Sequence, residues 1–152
     1  MPMRRFMLML SVLVAVLAHG ASPPDPGKSE YLVSTAAGFL FDPGAGTHYA
    51  LSFDVVKSPP GTLYVIVEFE SPVEAGKPMT TEVVVQPGKR SFQTRSPSVH
   101  EIKNNRRYGV NLKLYADAAC TRLIGTHHQD VLFSVPRQMK SQLTEQFGVT
   151  VR

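Results

Sequence analysis

The stretch that most limits what this chain can fold into runs from Arg107 to Pro136. Tyr108, Val110, Leu112 and Leu114 alternate with Gly109, Asn111, Lys113 and Tyr115. A period of two, sustained from one end of the run to the other, belongs to a strand with one buried face. Ala116 to Cys120 then turns the chain, and Thr121 to Val135 reads as a long return strand. No other part of the sequence signals a β-hairpin as strongly.

The other apolar runs have the same character. Tyr49, Leu51, Phe53 and Val55 form one alternating set, which Ser58-Pro59-Pro60-Gly61 stops because proline cannot donate to a ladder and glycine accepts a positive φ. Leu63, Val65, Val67 and Phe69 give the inner face of the next strand. Tyr64, Ile66, Glu68 and Glu70 lie on its other face, and Tyr64 and Ile66 suggest that this side is partly covered too. Thr80 to Gln86 is β-branched and suits a half-buried strand. Pro87-Gly88 closes it, and Ser91 to Arg95 is expected to pair back on it as a weak edge. Tyr31 to Val33 and Phe39 to Phe41 read as a broken first strand, split by Ala36-Ala37-Gly38.

Beyond Pro136 the pattern weakens. Met139, Leu143 and Phe147 fall four apart, as on a short helix, while Gly148 to Val151 would suit an edge strand. The expectation is an irregular segment ending in a short strand. Seven or eight strands at roughly ten-residue spacing predict an all-β, antiparallel sandwich. In it, Val110, Leu112 and Leu114 should pack against Leu51, Phe53, Val65 and Val67 across the interior.

The first residues read differently. Arg4 and Arg5 precede an apolar run from Phe6 to Ala18, and Ala18-His19-Gly20 places small residues where a signal peptidase cuts. At ~1.5 Å per residue that run spans about 20 Å, short of the ~30 Å hydrocarbon core. The expected organisation is a secretory signal peptide over 1–20, a proline-rich spacer over 21–29, a sandwich over 30–136 and a C-terminal extension over 137–152. Localisation is then periplasmic or extracellular, with no membrane span after cleavage. Losing the two leader arginines takes the formal charge from +4 to +2, which gives no case for nucleic-acid binding. With Cys120 the sole cysteine, no intrachain disulfide can form, and the fold must hold by packing. A free thiol, and a monomer, are expected.

One stretch carries a family resemblance. Ile102-Lys103-Asn104-Asn105-Arg106-Arg107-Tyr108-Gly109-Val110-Asn111-Leu112 places an aliphatic residue, a polar turn and a tyrosine just ahead of an alternating strand. From about Tyr49 to Val135 the chain resembles a fibronectin type III or immunoglobulin-like domain. The resemblance implies that Ile102 plugs the corner and that the Tyr108 hydroxyl ties back to upstream backbone, as in a tyrosine corner. Phe53 would stand where the family has a tryptophan, a residue this chain lacks altogether. Such sandwiches host many roles, so the resemblance implies a fold and no activity.

Little in the sequence points to chemistry. His127 and His128 are adjacent, which on a strand sends them to opposite faces. A zinc or copper site would need further ligands, such as His100 and Asp117, to converge on one of them. The acids are scattered singly, unlike a calcium site. There is no Gly-x-Ser-x-Gly elbow, phosphate-binding glycine loop or His-Glu-x-x-His. Cys120 would sit on a hairpin tip with no helix terminus to lower its pKa. Glu68 and Glu70 share a strand face that could flank a sugar, although outer-face carboxylates are more often merely solvated. Lys103, Arg106, Arg107, Lys113 and Arg122 gather in sequence around the hairpin and would form a basic patch if they share a face. The expectation is an exported, non-catalytic binding or accessory domain without cofactor or metal, contacting a protein or an anionic envelope polymer. The alternative is a small exported metal-binding protein that uses its histidines.

Overall fold

The computed structural model describes residues 29–152, so the leader and nearly all of the spacer expected from the sequence lie outside the described residues. In chain order the elements are β1 (Leu32–Asp42), β2 (Gly46–Val55), β3 (Leu63–Phe69), β4 (Met79–Val85), β5 (Ser91–Arg95), β6 (Glu101–Ile102), β7 (Arg106–Tyr115), β8 (Leu123–Phe133), α1 (Met139–Phe147) and β9 (Thr150–Val151). They build an all-β sandwich. One antiparallel sheet has the order β1-β2-β5 and the other β4-β3-β7-β8; β6 and β9 pair in parallel beside them.

Alternation decides what goes inside. Tyr49, Leu51 and Phe53 of β2 are buried, as are Leu63, Val65, Val67 and Phe69 of β3 and Tyr108, Val110, Leu112 and Leu114 of β7. Val131 and Phe133 of β8 complete that wall. The expected partners of the β7 row divide into two kinds. Leu51 and Phe53 belong to the opposite sheet, whereas Val65 and Val67 sit beside Leu114 and Leu112 in the same sheet. Lateral neighbours cannot be told from facing ones until strand order is known.

Two strands depart from expectation. β1 is one continuous strand, with a register shift between Ser34 and Ala36. Before the shift Leu32 is buried; beyond it Ala37, Phe39 and Phe41 pack on the core. The extra residue moves the inward set from even to odd positions, and a pattern reading takes that phase change for a break. β5 does not pair back on β4. Gln86 to Arg90, with Gly88 at φ 84°, carries the chain to the other sheet, where Phe92 lies opposite Phe53 and their rings stack at 5.4 Å.

The C-terminal extension also folds. Helix α1 buries Leu143 and brings Phe147 to 5.5 Å from the Phe41 ring. Gly148 ends it at φ 65°, its N–H donating to the Thr144 carbonyl at 3.0 Å, a left-handed cap that glycine adopts without strain. Val149 is buried, and β9 then pairs with β6.

At the corner before β7, Tyr108 and Ile102 are both buried. The Lys103 N–H donates to the Tyr108 hydroxyl at 2.8 Å, and the Arg106 guanidinium lies 4.8 Å from the centre of the Tyr108 ring. Asn104 continues the ladder with its side chain: its amide donates to the Val135 carbonyl and accepts from the Val135 N–H, each at 2.9 Å. Tyr108→Phe leaves the Lys103 N–H without this acceptor and is expected to cost about 0.5–1.5 kcal/mol in urea unfolding. Unchanged stability would mean that the corner bond adds nothing to the fold.

A polar groove on the outer face of the four-stranded sheet

The residues between the buried ones of β3, β7 and β8 form the outer face of the larger sheet. Register orders them in rows across the strands. Glu68 lies opposite Asn111, which lies opposite His128. Gly109 lies opposite Asp130, with Glu70 reached from the end of β3. Val84, Tyr64 and Tyr115 form the row at the other end, with Leu123 paired to Tyr115. These side chains remain half-buried or exposed.

Around Gly109 the polar groups hold one another in place. Glu70 accepts from the Gly109 N–H through Oε2 at 2.9 Å and from Arg106 through Oε1. Lys113 Nζ donates to Glu68 Oε1 at 2.6 Å, a bond that raises the lysine pKa. His128 meets Asn111 Oδ1 with Nδ1 at 2.7 Å and Asp130 Oδ1 with Nε2 at 3.0 Å. The result is a shallow groove of about 330 Å³ floored by Gly109, with Glu70, Asn111 and His128 among its walls. A second hollow of about 230 Å³ shares Glu68, Asn111 and His128 with it and reaches Lys113. Gly109 lets the floor lie this close to the ring, since a Cβ there would meet His128 Cε1 at 3.2 Å.

The five basic residues expected to form a patch are dispersed. Arg106 pairs with Glu70 and lies over Tyr108, and Lys113 pairs with Glu68, so two of the five are already neutralised. Arg107 and Lys103 are exposed at the corner. Arg122 is at the hairpin tip, about 27 Å from Arg107 along β7 at ~3.4 Å per residue. That spacing is several Debye lengths and leaves no shared field.

The histidines diverge as adjacent strand residues must. His127 is buried, accepts from the Ser29 N–H through Nδ1 at 3.4 Å and sets its ring edge-on to Phe53; His128 faces the groove. His100 lies beside β6 and Asp117 at the hairpin tip, at opposite ends of β7. Among the described residues, no three His, Cys, Asp or Glu side chains converge as metal ligands would. Burial first, and then the charges of Glu82 and Asp117, push the Cys120 thiol up, away from thiolate reactivity.

Asp117 has a local task. It accepts from the Thr121 hydroxyl at 2.7 Å, from the Arg122 N–H at 2.7 Å and from the Thr121 N–H at 3.1 Å. These bonds, the hydroxyl first, hold its carboxyl below the usual carboxylate range. A depressed folded-state pKa stabilises the tip above the unfolded pKa, and the contribution disappears as pH falls through the folded value. Hydrogen-exchange protection of the Thr121 and Arg122 amides is therefore expected to drop in strong acid before that of the β7 core. Loss in step with the core would show that Asp117 does not hold the tip.

Asn111, His128, Asp130 and Gly109 were not singled out by sequence reasoning as a group. A lone glycine inside an alternating strand was the available signal, because it marks a close approach. Only register reveals which residue approaches. Among the described residues no helix is long and apolar enough to cross a membrane. The chain matches no model of a known protein family, and no curated protein matches it.

Proposed function

We propose that this chain is an exported, non-catalytic binding domain of fibronectin type III-like organisation, and that it binds through the outer face of the four-stranded sheet. The observation carrying this reading is the groove over Gly109. Half-buried Glu70 is held there by the Gly109 N–H and Arg106, and half-buried His128 by exposed Asn111 and Asp130, around a floor where a Cβ at Gly109 would crowd the His128 ring. A polar network organised at a surface does little for stability, while it lowers the entropic cost of holding a partner. The strand order of the two sheets and the Tyr108 corner support the fibronectin-like assignment, and the Arg-rich leader followed by an apolar run supports export.

The other large surface offers less. Ala36, Gly38, Ala50 and Ser52 give the middle of the three-stranded sheet's outer face only small side chains, with His48, bonded to the Ala45 and Ser96 carbonyls, and Asp54 toward opposite ends of β2. The test is capture from an envelope extract by the mature chain, compared with Asn111→Ala, Tyr115→Ala and, on the opposite sheet, Gln93→Ala. Capture is expected to fall for the first two and persist for the third. Capture indifferent to the first two would refute this choice of surface.

A further inference from the structure

We propose that the ligand of this face is a neutral polysaccharide chain, an inference that rests on the outer sheet face being the contact surface. Charge is the first argument. On this face the two strand cations are each bonded to a carboxylate, Arg106 to Glu70 and Lys113 to Glu68; Lys77 at the groove rim pairs with Glu74, and Asp130 lies against His128. A polyanion would meet three carboxylates, and a polycation would have to displace two bonded cations. A neutral ligand faces neither penalty.

Hydrogen-bonding capacity is the second. A sugar hydroxyl both donates and accepts. Across its two adjoining hollows the face presents carboxylate acceptors at Glu68 and Glu70, a donor at Lys113 Nζ and an amide at Asn111, with Asp130 next to them against His128. Glu70 takes a protein donor on each oxygen, Glu68 takes one on Oε1 and Asp130 lies against His128 through Oδ1, and lone pairs remain on all three for hydroxyls. Because these groups are already held, little side-chain freedom is lost when a ligand arrives.

The tyrosines are the third. Tyr64 and Tyr115 are direct cross-strand neighbours on this same face, both half-buried. Tyr115 lies about 14 Å along β7 from Asn111 at ~3.4 Å per residue. A linear polymer following β7 would lay the C–H face of one unit on a tyrosine ring and the hydroxyls of another in the groove. Aromatic rings with a polar tip suit such an amphipathic ligand. A protein docking on the row Val84, Tyr64, Tyr115 and Leu123 would use the tyrosines and leave the groove untouched, which sets the two partners apart.

The test is binding of the mature chain to an array of immobilised neutral oligosaccharides, at low and high salt, with the three variants used for capture. The proposal expects at least one neutral glycan to be retained at high salt. Its affinity should fall roughly tenfold or more in both Tyr115→Ala and Asn111→Ala, as expected when one stacking or hydrogen-bonding contact is lost. Gln93→Ala should bind as the parent does, and matching melting temperatures show that the variants fold. An array retaining no neutral glycan, binding abolished by salt, or indifference to Asn111→Ala would each overturn it. If the array is blank while Tyr115→Ala still weakens envelope capture, the glycan falls and the contact surface stands. If capture ignores both variants, both readings fall.

Discussion

Replacing Leu112 by alanine is expected to destabilise the fold by about 2–5 kcal/mol, the range for removing a buried leucine whose cavity cannot collapse. Leu112 has no measurable exposure and lies mid-strand, with Val67 beside it on β3 and His127 on β8. Leu51 and Phe53 belong to the same buried cluster from the opposite sheet. With neighbours fixed on three sides by backbone ladders, little can move in to fill the void. Urea unfolding measures the loss. A variant melting cooperatively at near-parental stability would mean that the alternation of β7 faces the other way.

Ending the chain after Pro136 is expected to be comparably severe. Leu143 and Val149 are both buried, and burying one such side chain contributes about 1.5–3 kcal/mol, so their joint loss comes to roughly 3–6 kcal/mol. The truncation also strips β9 from β6, with the Thr150 N–H bond to the His100 carbonyl at 2.7 Å and the Arg152 N–H bond to the Ile102 carbonyl at 2.9 Å. For a domain with about 5–15 kcal/mol of stability, such a loss leaves a substantial unfolded fraction. A truncated chain with unaltered unfolding would show that the extension merely rests on the sandwich.

These two cases mark where reading the sequence works and where it stops. The β7 hairpin was legible because a strand buried on one face writes its period directly into the chain, and the Tyr108 corner was expected from the family resemblance of Ile102 to Leu112. The extension was legible in part: the four-residue spacing of Met139, Leu143 and Phe147 matches α1, and the closing strand is β9. Three apolar residues are too few to decide against an irregular segment, and their burial depends on Phe41 and Ile102 being brought to the same end. β1 failed for another reason: one bulged residue at Thr35 shifts the phase, and two correct half-patterns look like a gap. The destination of β5 depends on which sheet the turn after Gln86 aims at, which five residues of Ser-Phe-Gln-Thr-Arg cannot encode.

The candidate site was legible only in part. Glu68 and Glu70 could be assigned to one face from alternation, and their use toward a sugar was conceivable. That Glu70 closes on Gly109 and Arg106, and that Asn111 stands opposite His128, follows from pairing between distant segments. The basic residues misled because nearness in sequence is not nearness on a strand: each step along β7 adds ~3.4 Å, enough to send Arg122 to the far end.

The most direct test of the binding surface is amide chemical-shift mapping of the labelled mature chain, titrated with soluble protein and soluble polysaccharide fractions of the envelope. The account predicts that perturbations cluster at Tyr64 to Glu70, Gly109 to Tyr115 and Thr126 to Asp130, leaving Ala36 to Leu40 and Ser91 to Arg95 unmoved. Perturbations confined to the three-stranded sheet, or to Arg107 and Lys103 at the corner, would contradict it.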